Sequence, residues 1–109
     1  MLNPENILLV LTNAPDVTTA NQLAEMLVTK KLAACVNILS PCQSIYTWEG
    51  KLAHTNEIPI LIKTNQLQYD ALQDAIIKAH PYELPEIISI NVDGGLPQYL
   101  QWVTAQISA

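Results

Sequence analysis

The sequence predicts an α+β fold in which helices cover one face of an antiparallel sheet. Apolar runs typical of strands alternate with segments whose apolar residues recur at helical spacing, in the order β-α-β-β-α-β-α. A tight turn between the second and third strands makes them antiparallel neighbours. At 109 residues, with 50% hydrophobic and 14% charged residues, the chain is expected to form one domain over residues 1–109.

The first strand and the first helix are indicated by the residues that flank them. The apolar run 5–14 lies between Pro4 and Pro15 and predicts a buried strand. Asp16 stands where a helix N-cap is expected, because its carboxylate can accept from the free amides of the first turn. Apolar residues at helical spacing then predict an amphipathic helix over residues 16–31.

The middle of the chain predicts a long β-hairpin. Residues 32–47 are rich in strand formers but contain Pro41, so a bulged strand is expected. The sequence WEGK predicts the turn, with Gly50 available for a positive φ, and residues 54–65 return as the third strand. Pro59 in that strand is tolerated mainly at an edge or a bulge.

The remaining segments complete the pattern. Residues 66–79 place apolar side chains on one face and predict a second helix, which Pro81 ends. The sequence LPEIISINV, residues 84–92, predicts a fourth strand, and Pro97 suits the start of a last helix. The first six elements match the split βαβ, or ferredoxin-like, pattern, to which the C-terminal helix is an addition.

The hairpin is too long for the rest of the domain. Arms of about 14 residues span on the order of 45 Å, whereas a globule of this size has a diameter of roughly 34 Å. The tip is therefore expected to overhang its sheet, and Ile45, Tyr46 and Trp48 near the tip need cover. Either further copies of the chain supply that cover in a closed ring, or the hairpin coils over its own sheet.

The charge of the chain excludes some classes of partner. The net charge is −5 and there is no arginine, so a nucleic-acid partner is not expected. No apolar run reaches the roughly 20 residues of a membrane span, and the N-terminus lacks the features of a signal peptide. A cytoplasmic protein without a membrane partner is expected, with Cys35 and Cys42 as reduced thiols.

One short segment concentrates ionisable side chains. HPYELPEI, residues 80–87, carries His80, Tyr82, Glu83 and Glu86 on a backbone restricted by two prolines. A helix stop needs only one proline, so a preorganised polar pocket is favoured, with a solvated loop as the alternative.

Strand parity adds further candidates to this pocket. Cys35 shares a face of the second strand with Asn37, and Glu57 shares a face of the third strand with Lys63. Cys35 is alternatively a small buried apolar residue, Trp48 an interface anchor, and Lys63 the partner of a carboxylate. The candidate cleft residues are Cys35, Trp48, Glu49, Glu57, Lys63, His80, Tyr82, Glu83 and Glu86.

Five segments resemble the CutA family of divalent-cation tolerance proteins. They are KLAACVNIL (31–39), SIYTWEGKL (44–52), EIPILIKT (57–64), HPYELPEI (80–87) and YLQWV (99–103). The resemblance implies a homotrimer similar in architecture to PII signalling proteins, with ligand-binding clefts between subunits. It also implies a link to copper and other divalent metals, and no agreed enzymatic activity.

A metal site is a weaker expectation than the cleft. His80, Cys35 and Glu83 offer an imidazole, a thiolate and a carboxylate, a set that suits a soft ion such as copper. Relatives with proposed copper ligands carry Cys where Thr12 stands and an extra His where Ala79 stands. Because no nucleophile elbow or phosphate loop is present, no enzyme is expected. The alternative function is a PII-like signalling or scaffolding trimer that acts through protein partners.

Overall fold

The computed structural model describes residues 3–107 and contains five strands and three helices. The elements in chain order are β1 (Ile7–Ala14), α1 (Val17–Thr29), β2 (Cys35–Ile38), β3 (Cys42–Trp48), β4 (Lys51–Asn65), α2 (Tyr69–Ala79), β5 (Ile87–Asn91) and α3 (Pro97–Ile107). The sheet is antiparallel in the order β2-β4-β1-β5, and β3 pairs with β4. The predicted ferredoxin-like α+β fold with an extra C-terminal helix is confirmed.

The core lies between the sheet and the first two helices. Alternate residues of β1 point to that side, and Val10 lies opposite Ile62 of β4 with both side chains fully buried. Leu23 of α1 and Ile76 of α2 pack onto them in the same apolar cluster. The amphipathic faces predicted for both helices are therefore the faces that cover the sheet.

The predicted strand 32–47 is two strands separated by a bulge. Ile38 of β2 pairs with Ile60, and Cys42 of β3 pairs with Glu57, so three residues on one side face two residues of β4. Pro59 lies opposite this break, where Leu39 N–H donates to the Pro59 carbonyl at 2.9 Å. Because the N and C=O of a residue in an antiparallel ladder point to the same side, the missing Pro59 N–H faces the bulge.

The hairpin closes with a two-residue turn and projects beyond the sheet. Glu49 and Gly50 have φ values of 50° and 79°, as a type I′ turn requires, and Trp48 pairs with Lys51. β1 pairs only with residues 58–65 of β4, so the first half of β4 is paired with β3 alone. The described chain measures 44 × 26 × 26 Å, and the predicted overhang is confirmed.

Helix α1 begins and ends with hydrogen-bonded caps. Thr19 N–H donates to Asp16 Oδ1 at 2.7 Å, which confirms the predicted N-cap and holds the pKa of Asp16 below its ordinary value. At the other end, Lys31 adopts a φ of 58° while Leu32 N–H donates to the Leu27 carbonyl at 2.9 Å. This is a Schellman motif with lysine in the left-handed position that glycine usually occupies.

The other face of the sheet is only partly covered. Val103 and Ile107 of α3 bury Ile7 at one end of that face. The rest, which we call the open face, presents a row of incompletely buried apolar side chains: Leu9, Leu11, Leu61, Ile88 and Ile90. Ile88 is 50% exposed, an unusual value for an isoleucine inside a sheet.

Candidate functional site

A pocket of about 590 Å³ lies between the hairpin and the loop that follows α2. One wall comes from β3 and the first half of β4, and the other comes from residues 81–86, which lie between α2 and β5. Its volume is in the range of about 300–1,000 Å³ that is usual for small-molecule sites. The lining residues are Asn13, Ser44, Ile45, Tyr46, Trp48, Thr55, Glu57, Pro81, Tyr82, Glu83, Leu84 and Glu86.

Five of the nine predicted cleft residues line this pocket. Trp48 and Glu57 belong to the hairpin, whereas Tyr82, Glu83 and Glu86 belong to the loop. Leu84–Glu86 were predicted as the start of the fourth strand, but β5 begins only at Ile87, so the loop is longer than expected. Their assignment as ligand-binding residues stays a prediction.

His80 lies behind the pocket and supports it. The side chain is 8% exposed, and its Nε2 lies 2.6 Å from the Asn13 carbonyl oxygen. Because a carbonyl oxygen only accepts, Nε2 carries the proton; Nδ1 accepts from Tyr82 N–H at 3.1 Å. Both ring nitrogens are thus engaged by the backbone, and the imidazole is a neutral ring that joins the end of β1 to the loop.

Tyr82 and Glu57 connect the two walls of the pocket. Glu57 is 7% exposed, and its carboxylate lies near enough to Tyr82 to act on the pKa of the hydroxyl. Partial burial, followed by hydrogen bonding to Glu57 and the charge of Glu57, raises the pKa of Tyr82 to about 12. The Tyr82 ring also contacts the His80 ring, with 4.7 Å between centroids. The tyrosine therefore lies between a buried histidine and a buried carboxyl group.

Lys63 lies near the C-terminal end of β4, and Cys35 of β2 pairs with it directly. Lys63 is six positions from Glu57, which is about 20 Å along a strand. Lys63 Nζ donates to Asn37 Oδ1, the atom that Cys35 Sγ also reaches at 3.8 Å. Lys63 is thus paired with an amide and not with the carboxylate that was considered. Burial and the neighbouring Cys35 thiol raise the pKa of Tyr99 in α3.

The predicted metal ligands do not converge within one chain. Cys35 is at the far end of β4 from Glu83, and neither nitrogen of His80 is free to coordinate. Among residues 3–107, no three His, Cys, Asp or Glu side chains form a group that could hold a metal ion. The side chains of a single chain therefore do not fit a copper site of the expected composition.

The structure adds residues that the sequence did not single out. Asn13, the next-to-last residue of β1, lies beside the pocket and donates through Nδ2 to Glu86 Oε1 at 3.3 Å. Tyr46 pairs with Ala53, so Thr55 is its diagonal neighbour across the hairpin, with 2.8 Å between the two hydroxyl oxygens. The pairing register of the hairpin predicts that Tyr46 and Thr55 are neighbours on one face, but that register can be assigned only once the position of the bulge is known. Glu49 lies in the turn and does not line the pocket.

Residues 8–106 match the family described as CutA1 divalent ion tolerance protein. The chain belongs to this family. The divalent-cation tolerance protein CutA of Pectobacterium atrosepticum is 40% identical over 98 residues, which cover 90% of this chain and 89% of the relative. The crystal structure of CutA from Xylella fastidiosa has a TM-score of 0.92 and 40% identity, covering 94% of this chain and 99% of that chain. The resemblance to CutA noted in the sequence is confirmed.

CutA relatives differ in length. The protein CutA homolog of Xenopus laevis is 44% identical over 89 residues, which are 82% of this chain but only 59% of the relative. Within residues 3–107, no helix combines the length and the hydropathy needed to span a membrane.

Proposed function

We propose that this protein acts in tolerance of divalent cations, as the names of its relatives state, and that it does so by binding and not by catalysis. The observation that carries the proposal is the family match over residues 8–106, joined to a fold that superposes on a solved CutA with a TM-score of 0.92. No relative named above is described as an enzyme.

We further propose that the working unit is a homotrimer. The overhanging hairpin supports this proposal, because Ile45 is 59% and Leu52 is 70% exposed when only the described residues of one chain are present. The open face supports it as well, since a row of incompletely buried apolar side chains is unfavourable in water. Copies of the chain arranged in a closed ring can cover both surfaces.

Clefts between the chains belong to the same proposal. Within one chain Cys35 and Lys63 are about 20 Å along β4 from the pocket that contains Glu57. Trp48 and Glu49 lie at the projecting end of the hairpin, from which they can reach a neighbour. Assembly therefore offers a way to combine candidate residues that a single chain keeps apart.

Copper is proposed as the metal, held by ligands from more than one chain. The family name speaks of divalent ions, and the single chain offers no converging ligands, so ligands from adjacent chains would be needed. Calorimetric titration with copper(II) and zinc(II) tests this. Saturable binding tighter than about 1 mM that Cys35→Ser weakens supports a metal site; the absence of such binding contradicts it.

A growth assay tests the tolerance function. A bacterium that lacks its own CutA is expected to regain growth at inhibitory concentrations of divalent cations when this chain is expressed in its cytoplasm. A matched pair of variants connects the result to the hairpin: Ile45→Glu changes a residue of the hairpin, whereas Ile77→Glu changes an isoleucine of α2 that is 51% exposed. Rescue by the wild type and Ile77→Glu, but not by Ile45→Glu, is the expected result. Absence of rescue by the wild type contradicts the proposal.

A further inference from the structure

The pocket beside the hairpin has the chemistry of a site for an organic cation. Three carboxylates line it, from Glu57, Glu83 and Glu86, and no lysine or histidine is among its described lining residues. Glu57 is 7% exposed, and the described lining of the pocket contains no cationic side chain to pair with it. Buried charges in proteins are normally paired with an opposite charge.

Both walls of the pocket also carry aromatic side chains. Tyr46 and Trp48 belong to the hairpin, and the hydroxyl of Tyr46 is hydrogen-bonded to that of Thr55 at 2.8 Å. Tyr82 belongs to the loop, and its ring lies 4.7 Å from the His80 ring. Faces of Trp and Tyr rings attract ammonium groups, and fixed side chains lose little freedom when a ligand binds.

A bare metal ion does not suit this arrangement. Metal ions need several ligands within about 2.0–2.6 Å, and no suitable group of three exists in the described part of the chain. The carboxylates instead come from two separate elements, β4 and the loop before β5. Carboxylates on two separate elements, in a pocket that is also lined by aromatic residues, match a ligand whose positive charges are separated by methylene groups.

We propose that the pocket binds a linear organic diamine or polyamine. Its ammonium groups donate charge-assisted hydrogen bonds to Glu57 and to the loop carboxylates. Its methylene segments lie against the rings of Tyr46, Trp48 and Tyr82, where the ammonium groups also gain cation–π contact. The net charge of −5 raises the local concentration of such cations. This inference needs no divalent metal, but it rests on the proposed assembly leaving the pocket open, because Ile45 and Trp48 of the hairpin also line it.

Titration calorimetry of the assembled protein with spermidine and with putrescine tests the proposal. The controls are 1,6-hexanediol, which has methylene groups without charge, and magnesium chloride at matched ionic strength. We expect saturable binding of the amines that neither control reproduces. Equal binding of magnesium, or no saturable amine binding up to about 1 mM, overturns the proposal. The second result is also the one expected if a neighbouring copy of the chain fills the pocket.

Charge-matched variants separate the pocket from the overall charge of the protein. Glu57→Gln and Glu25→Gln each remove one negative charge, but Glu25 is an exposed residue of α1 outside the pocket. We expect Glu57→Gln to weaken amine binding by about tenfold and Glu25→Gln to change it by less than about twofold. Equal losses overturn the proposal.

A substitution at an exposed residue of the pocket keeps the proposal testable if Glu57→Gln does not fold. Trp48 is 45% exposed, so Trp48→Ala is expected to keep the fold and to weaken amine binding by about tenfold through loss of cation–π contact. If Glu57→Gln proves unstable, unchanged amine binding by Trp48→Ala overturns the proposal by itself.

Discussion

The backbone N–H of Tyr82 donates a hydrogen bond of 3.1 Å to Nδ1 of His80, whose Nε2 lies 2.6 Å from the carbonyl oxygen of Asn13. The imidazole thus joins the end of β1 to the first residues of the pocket loop. Its two hydrogen bonds fix the Nε2–H tautomer, since Nδ1 must accept and Nε2 must donate. His80 was predicted from the sequence to be a metal ligand, but within the chain it links two backbone segments.

Replacing this histidine is expected to destabilise the fold. His80→Ala removes two hydrogen bonds from a buried position and leaves their backbone partners unsatisfied, so the free energy of unfolding should fall by about 2–3 kcal/mol. His54→Ala, in an exposed position on β4, should change it by less than about 0.5 kcal/mol. Urea unfolding measures both, and equal effects would refute the bridging role. Nitrogen NMR of the His80 ring should show a protonated Nε2 and an unprotonated Nδ1.

Tyr82 should titrate later than an ordinary tyrosine. Its folded pKa is raised from 10.0 to about 12, so the stability that its neutral form contributes is complete below pH 10 and is lost as the pH rises toward 12. Glu57→Gln removes the negative charge but keeps burial and a hydrogen-bond acceptor, so the pKa should fall toward 10 without reaching it. Tyrosinate absorbance, with Tyr82→Phe to assign the signal, measures the shift. An unchanged pKa in Glu57→Gln would show that Glu57 does not act on Tyr82.

Two buried threonines should respond oppositely to the same substitution. Thr12 Oγ1 is buried and has no hydrogen-bond partner among residues 3–107, whereas Thr64 Oγ1 donates to the Leu32 carbonyl at 2.6 Å. Thr12→Val should raise the free energy of unfolding by about 1–2 kcal/mol, because an unsatisfied hydroxyl is removed at nearly constant volume. Thr64→Val should lower it by about 1 kcal/mol or more. Effects of the same sign, measured by urea unfolding, would contradict this interpretation.

The end of α1 offers a stabilising change. Lys31 has a φ of 58°, a conformation that glycine adopts without strain, so Lys31→Gly should raise the free energy of unfolding by about 0.5–1 kcal/mol. Lys30 has a φ of −81°, so Lys30→Gly gains no such relief and should not stabilise, although it removes the same charge. Thermal unfolding of the pair distinguishes relief of strain from the loss of a positive charge.

Features determined by nearby residues could be predicted from the sequence. The Asp16 cap and the turn at Gly50 depend on side chains and backbone preferences within a few positions, and the structure contains both. The bulge at Pro41 was expected, but its consequence was not. The extra residue opposite Pro59 divides the predicted strand 32–47 into β2 and β3.

Features determined by distant contacts could not be predicted in the same way. Strand parity predicted a common face for Glu57 and Lys63, yet parity does not say how far along a strand two residues lie. The contact between Glu57 and Tyr82 joins residues 25 positions apart and depends on how the hairpin lies against the loop. The burial of Glu57, which makes the pocket chemically unusual, follows from that same packing.

The proposed self-association through the overhanging hairpin can be tested directly by substitution. Ile45→Glu places a charge on the hairpin, where contact with a neighbouring chain is proposed, whereas Ile77→Glu places the same charge on the outer side of α2. The first substitution should weaken the assembly and the second should leave it intact. An assembly unaffected by Ile45→Glu would show that the hairpin is covered in another way.

Sedimentation velocity of the wild-type protein at micromolar concentration tests the assembly most directly. The chain has a mass of 12.0 kDa, so a homotrimer should sediment as one species of about 36 kDa. A stable species of 12.0 kDa at that concentration would contradict the proposal, because the exposed hairpin would then be stable without contact to further copies of the chain.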